Sequence, residues 1–215
     1  MEVSSMVSSP GSINSPLSLR NHLCLGSEGA QMGVDCSANV PESMSLVFTY
    51  GTLKRGFSNH NLMEILMEKG DASFVGNHVT EEPYPLICGP YRVPFLLNMP
   101  GEEGAENVMG EVYAVSARGL ETLDELEGTK RGHYIRQPIK VCPCSSTGTR
   151  STSFVAEAYF GHQNYAEKMW VKIGKRGYSN YGEKESCGYV RRKDRPEGIT
   201  FLEHINSFLS SSPAI

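Results

Sequence analysis

The sequence predicts an α+β domain built on a mostly antiparallel or mixed sheet, with closure into a barrel as one arrangement. Three observations predict it. The β-rich runs outnumber the amphipathic stretches and do not alternate strictly with them. Prolines and glycines cut the middle of the chain into short segments, which suit edges and loops better than long central strands. At 215 residues, the chain can bury one core without a disulfide framework.

Order is expected to begin at Ser45. Leu46 to Tyr50 is β-rich and stops at Gly51, so it reads as a strand ending in a turn. Asn59 is placed to cap a helix carrying Leu62, Ile65 and Leu66, closed by Gly70. Phe74–Thr80, Tyr84–Cys88 and Val93–Asn98 read as short strands, broken by Pro83, Pro85, Gly89-Pro90, Pro94 and Pro100-Gly101. Val108–Val115 follows as a strand, with Gly110 a candidate bulge. Ser116 is expected to cap a helix over Ala117–Glu127, with Gly128 as its left-handed C′ residue. His133–Cys142 and Ser153–Gly161 are two more strands around a polar hairpin-type loop, Ser145–Thr149. Asn164 is placed to cap a helix through Trp170. Gly174–Gly188 is Gly-rich and polar and reads as a long surface loop. Thr200 opens a final amphipathic helix with Phe201, Leu202, Ile205, Phe208 and Leu209 on one side.

The N-terminal part differs. Residues 1–45 hold eleven serines and only five charges, Glu2, Arg20, Glu28, Asp35 and Glu42. Such a segment buries too little apolar surface to offset its chain entropy, so residues 1–44 are expected to be a disordered extension. The domain is then 45–209, and 210–215 a frayed tail. An organelle transit peptide is the alternative for the extension; it is Ser-rich, but its single arginine, Arg20, argues against that. A cytoplasmic setting is expected.

Net charge is −4, which disfavours a general grip on nucleic acid. No apolar run approaches the roughly 18 residues of a membrane span. The six cysteines read as reduced thiols. Cys142-Pro-Cys144 lacks a second ligand pair, so no metal is expected.

Two segments could carry chemistry. The first is Tyr50-Gly51-Thr52-Leu53-Lys54-Arg55-Gly56. Successive N–H groups in such a turn can gather around a carboxylate or an oxyanion, and a glycine permits close approach. An ordinary strand-to-loop turn is the plainer reading, and Lys54 and Arg55 read as solvated charges. The second is the helix end Leu120–Gly128. At about 100° per residue, Leu120, Leu123 and Leu126 form an apolar stripe. Glu127 lies roughly 40° from its centre and Asp124 about 100°, while Glu121 and Glu125 lie roughly 160° away. Glu127 is therefore the acid expected to point inward. Burial and the helix C-terminal dipole both favour its protonated form, which suits a general base or acid near neutrality. A frayed glutamate facing water is the competing reading. His133, six residues on, is a lesser candidate for the same site.

These segments resemble the γ-glutamylcyclotransferase-like proteins. The resemblance is carried by Val47–Gly56, Tyr84-Pro85-Leu86, Val93–Leu97, Gly110–Val115 and Leu123–Glu127 followed by Tyr134, in order over residues 46–140. It is nearest to the γ-glutamylamine cyclotransferases and their plant relatives, which include the avirulence-induced proteins. It implies a small β-barrel with flanking helices and a central cavity. It also implies that Tyr50, Gly51, Thr52 and Leu53 bind a γ-glutamyl substrate and that Glu127 is catalytic. The implied reaction releases 5-oxoproline without cofactor or metal. Cyclotransferases for γ-glutamyl amino acids or glutathione, and a non-catalytic binder using the same cavity, are the alternatives. The Gly174–Gly188 loop is a candidate for the acceptor end, and the sequence implies no oligomeric state.

Overall fold

A computed structural model describes residues 43–144 and 152–211. The N-terminal extension up to residue 42 and the Ser145–Thr149 loop lie outside the described residues. The strands are β1 (Ser45–Thr49), β2 (Ala72–Thr80), β3 (Leu86–Cys88), β4 (Pro94–Leu96), β5 (Met109–Val115), β6 (Tyr134–Pro143) and β7 (Phe154–Gly161). The helices are α1 (His60–Glu68), α2 (Ala117–Glu127), α3 (Gln163–Lys172), α4 (Glu183–Ser186) and α5 (Phe201–Ser210).

The sheet runs β1-β5-β2-β6-β7 and returns to β1, so five strands close a barrel; β4 and β3 extend it from β7. Every ladder is antiparallel except two, and both lie on the same edge of β7. Val47 of β1 pairs in parallel with Glu157, and Leu96 of β4 pairs in parallel with Phe160. β1 and β4 thus share one edge. Continued in register, β1 would place Tyr50 beside Phe160, where Leu96 already sits, so the chain must leave the sheet there. The turn after β1 is a consequence of that competition.

Alternate residues separate into two packed groups, as the pleat requires. Phe48, Val112, Ala158 and Phe160 belong to one. Val47, Tyr113 and Tyr159 belong to the other, with Met63 of α1, Leu123 of α2, Trp170 of α3 and Ile205 of α5. The second group is the layer between sheet and helices.

Helix α2 obeys the local rules at both ends. Ser116 Oγ accepts from the Gly119 N–H at 3.0 Å, and Gly128 takes the left-handed conformation at φ 66°. Asp71 accepts from Ser116 Oγ at 2.8 Å and takes two bonds from the Arg118 guanidinium, which fastens this end of α2 to the start of β2.

Other local expectations need correction. Asn59 stands at the N-cap of α1 without capping it; its amide donates to Thr52 Oγ1 at 2.9 Å instead. The bulge lies between Phe74 and Gly76 on β2, not at Gly110. Gly110 is needed for space, because a Cβ there would sit 2.5 Å from the Thr49 carbonyl and 2.6 Å from the Phe48 ring. His162 rather than Asn164 caps α3. Gly174–Gly188 runs along the surface as expected, but it carries α4 and is pinned to the sheet rather than being a free loop. The Tyr178 N–H donates to Leu86 O and the Met109 N–H to Ser179 O, both at 2.8 Å, and Tyr181 is buried. No helix among the described residues is long and apolar enough to cross a membrane.

Candidate active site

The shared edge of β7 opens into a cavity of about 120 Å³. Tyr50, Gly51, Thr52 and Leu53 form one wall, and Leu126 and Glu127 at the end of α2 form another. His133, Tyr134 and Tyr159 also line it. The two segments singled out in the sequence, over seventy residues apart, therefore face one space.

The turn is held from outside. The Gly51 carbonyl accepts from the Lys54 N–H at 3.1 Å, and the Thr52 carbonyl from the Asn59 N–H at 3.0 Å. The Leu53 carbonyl meets His60 Nδ1 at 2.9 Å. Tyr50 and Leu53 are buried on opposite sides, one in each packed group. Among the described residues, no acceptor meets the backbone N–H of Gly51, Thr52 or Leu53. Three unspent donors on a cavity wall form a cradle for an anionic oxygen.

Gly51 owes its identity to a neighbour rather than to φ. A Cβ there would lie 2.6 Å from Pro94 Cγ, at the first residue of β4. Two strands that share an edge must pass this closely. Lys54 is not the solvated charge expected. Its Nζ donates to Asn180 at 2.6 Å behind the turn, and burial lowers its pKa to about 8.

Glu127 is partly open to the cavity, yet protein surrounds its carboxyl. Among the described residues no donor meets it, and burial alone raises its pKa to about 7. Gly128 then turns the chain so tightly that a Cβ would sit 2.5 Å from His133 Nδ1. Burial, with Arg131 and Arg192 nearby, lowers the His133 pKa to about 4. The imidazole is neutral where the carboxyl titrates.

The other acids of α2 diverge as helical geometry requires. Glu121 and Glu125 are exposed. Asp124 accepts from Tyr159 Oη at 2.8 Å and Arg136 Nε at 3.0 Å, and Arg136 also pairs with Glu157. Tyrosines then wall the site with their hydroxyls committed elsewhere. Tyr50 donates to the Tyr159 carbonyl at 2.5 Å and Tyr134 to the Pro94 carbonyl at 2.9 Å, while Tyr165, packed behind the lining, donates to the His133 carbonyl. Burial pushes all of their pKa values up. They cannot supply protons near neutrality, which leaves Glu127 as the titrating group of this wall.

A pH test follows. The folded pKa is raised, so the carboxyl favours the fold below the ordinary glutamate range. That contribution is lost as pH climbs toward 7, and above 7 the ionised group is a net cost. Glu127→Gln should leave stability nearly unchanged at pH 4. At pH 8 it should stabilise the fold by on the order of 2–3 kcal/mol. Equal shifts in Tm at both pH values would show an ordinary glutamate.

Sequence reasoning missed Tyr159, Tyr189, Arg192, Arg195 and Phe201, which also line the cavity. No residue of Gly174–Gly188 lines this cavity, whereas Tyr189, Arg192, Arg195 and Phe201 of the following segment do. The only available signal was the density of arginines at 191, 192 and 195.

Likeness to known proteins identifies the family. Residues 47–179 match the family described as gamma-glutamyl cyclotransferase, AIG2-like. An Arabidopsis thaliana protein named "putative gamma-glutamylcyclotransferase" is 52% identical over 179 residues, covering 80% of this chain and 95% of its own. A zebrafish protein, gamma-glutamylaminecyclotransferase C, is 45% identical over 153 residues, covering 70% of this chain and 96% of its own. The human gamma-glutamylaminecyclotransferase is 48% identical over 85 residues, 39% of this chain and 54% of that protein. The crystal structure of a mouse AIG2-like protein superposes with a TM-score of 0.57 at 30% identity, covering 71% of this chain and 99% of that one. With its five-stranded mixed barrel, flanking helices and matched residues, the chain belongs to the gamma-glutamyl cyclotransferase, AIG2-like family.

Proposed function

We propose that the protein releases 5-oxoproline from γ-glutamyl compounds, with Glu127 as the proton-transfer group. One observation carries the reading: a carboxyl with a pKa near 7 and, among the described residues, no hydrogen-bond partner shares a small cavity with backbone N–H groups that no described acceptor meets. A structural carboxyl would normally be paired, since an unpaired buried one costs free energy.

The glutamyl half lies against Tyr50–Leu53. The substrate α-ammonium gives its first proton to solvent, and the neutral amine attacks the γ-carbonyl carbon while Glu127 takes the second proton from that nitrogen. A new C–N bond closes the five-membered lactam, while the N–H cradle receives a carboxylate or the developing oxyanion. The tetrahedral centre collapses with cleavage of the original amide bond. Glu127 returns the proton to the departing nitrogen and ends ionised, as it began. Nucleophile and electrophile belong to one molecule, so the protein need only hold the reactive fold of the substrate and move one proton.

The relatives named γ-glutamylamine cyclotransferases support γ-glutamylamines, such as γ-glutamyl-ε-lysine, as the first substrates to try. The test is direct assay of 5-oxoproline with purified protein on γ-glutamylamines, γ-glutamyl amino acids and glutathione. Release from any of these is the expected result. Binding of 5-oxoproline without release from any would instead identify a ligand-binding protein.

A further inference from the structure

A second cavity, of about 590 Å³, adjoins the first, and His133, Arg192, Arg195 and Phe201 line both. Its remaining wall comes from Arg131, Lys193, Pro196–Leu202 and His204. Its charge is lopsided. Arg131, Arg192, Lys193 and Arg195 face it against one acid, Glu197. Among the described residues, none of the four cations lies within 4.0 Å of a carboxylate. The two histidines on this wall do not offset them: His133 is held neutral, and His204 bonds Tyr91 Oη through Nδ1 at 3.0 Å.

Arg195 is built in rather than trailing in solvent. Its Nε donates to the Val190 carbonyl at 3.1 Å. Its guanidinium carbon lies 5.3 Å from the Tyr91 ring, 5.6 Å from Phe201 and 6.0 Å from Tyr189. Phe201 in turn stacks on Phe95 at 6.0 Å and meets the His133 ring at 4.8 Å. An aromatic cage and one backbone bond thus fix the fork, and no acceptor among the described residues takes its terminal N–H groups. A glutamyl half placed against Tyr50–Leu53, as proposed above, would leave the departing half to extend toward the lining that the two cavities share. Arg192, Lys193 and Arg195 lie beyond residues 47–179, the part matched to the family, while Arg131 lies within it.

We propose that this basic chamber is the acceptor subsite and that it selects γ-glutamyl substrates whose leaving amine carries a carboxylate. The inference rests on the cyclotransferase reading above. Arg192 and Arg195 would meet that carboxylate nearest the reacting bond, and Arg131 and Lys193 would raise its local concentration.

Two matched pairs test it, each differing by one carboxylate: γ-glutamylalanine against γ-glutamylethylamide, and γ-glutamyl-ε-lysine against γ-glutamylcadaverine. In at least one pair the carboxylate-bearing member should be favoured at least tenfold in kcat/KM, chiefly through KM. Exchanging both exposed cations, Arg192→Gln with Lys193→Gln, should shrink that ratio at least threefold. A ratio below tenfold in both pairs would overturn the proposal, as would a ratio unchanged in the double variant. So would an equal loss of 5-oxoproline affinity in that variant, since the cations would then read the glutamyl carboxylate. Calorimetry on Glu127→Gln separates this from the reaction itself. If the native protein turns over nothing, a tenfold binding preference within a pair still supports the chamber while the cyclotransferase reading falls; equal affinities in both pairs would sink the chamber too.

Discussion

Glu127→Gln is expected to lower kcat for 5-oxoproline release by roughly 10²–10⁴-fold, with KM and the affinity for 5-oxoproline changing little. The amide keeps the size of the carboxyl and fills the same corner of the cavity, so the wall it completes stays in place. What it loses is the ability to take a proton from one nitrogen and return it to another. The unmodified enzyme should gain activity through a rising limb near pH 7, as burial delays ionisation of this group. That limb should be absent from the residual rate of the variant. No other group of this wall fills the gap: the tyrosine hydroxyls are held far above neutrality and His133 far below. A variant with a near-normal rate would remove Glu127 from the chemistry.

The second large effect is expected at Gly51. Any side chain there must displace Pro94, whose Cγ would lie 2.6 Å from the new Cβ. Gly51→Val should destabilise the fold by roughly 1–3 kcal/mol and abolish ligand binding. The milder Gly51→Ala allows the two causes to be separated. Combined with Pro94→Ala, which removes Cγ and Cδ of the ring, it should regain much of the lost stability, a coupling of roughly 0.5–3 kcal/mol across the cycle. If stability returns but 5-oxoproline still fails to bind, the glycine also serves close approach by the ligand. If the two changes simply add, the contact with Pro94 does not determine the residue.

These two residues show what was readable in the chain and what was not. Helix α2 was readable in full, because caps and periodicity act within a few residues. Ser116, Gly128 and the inward lean of Glu127 all follow from local geometry. The turn after β1 was readable as a turn, but its cause was not. That cause is β4 occupying the place on β7 that β1 would otherwise take, a matter of strands far apart in the chain. The same limit hid Pro94 as the neighbour of Gly51 and the burial of Lys54 behind the turn. It also hid Tyr159, which enters the wall because its strand closes the barrel. Gly110 was misread for a related reason. A glycine within a strand signals either a bulge or a crowded neighbour, and only the packing of Phe48 decides between them. The basic chamber was not read from the sequence, because nothing local places the arginines at 192 and 195 beside Glu127.

The closure of the barrel through β7 also sets when the site can exist during synthesis. Tyr50, directly after the first strand, is tied to Tyr159 in the last by a bond spanning 109 residues. A growing chain emerges from its N-terminus, so β1 must wait with one edge open while the four strands after it, two helices and β6 are made. Long-range pairing of this kind folds slowly, because loop closure must precede the contacts that reward it. The Tyr50–Leu53 turn, Glu127 and the cations at 192–195 therefore come together only after β7 has been made. Until then the open edge of β1 is the surface on which wrong pairing can begin.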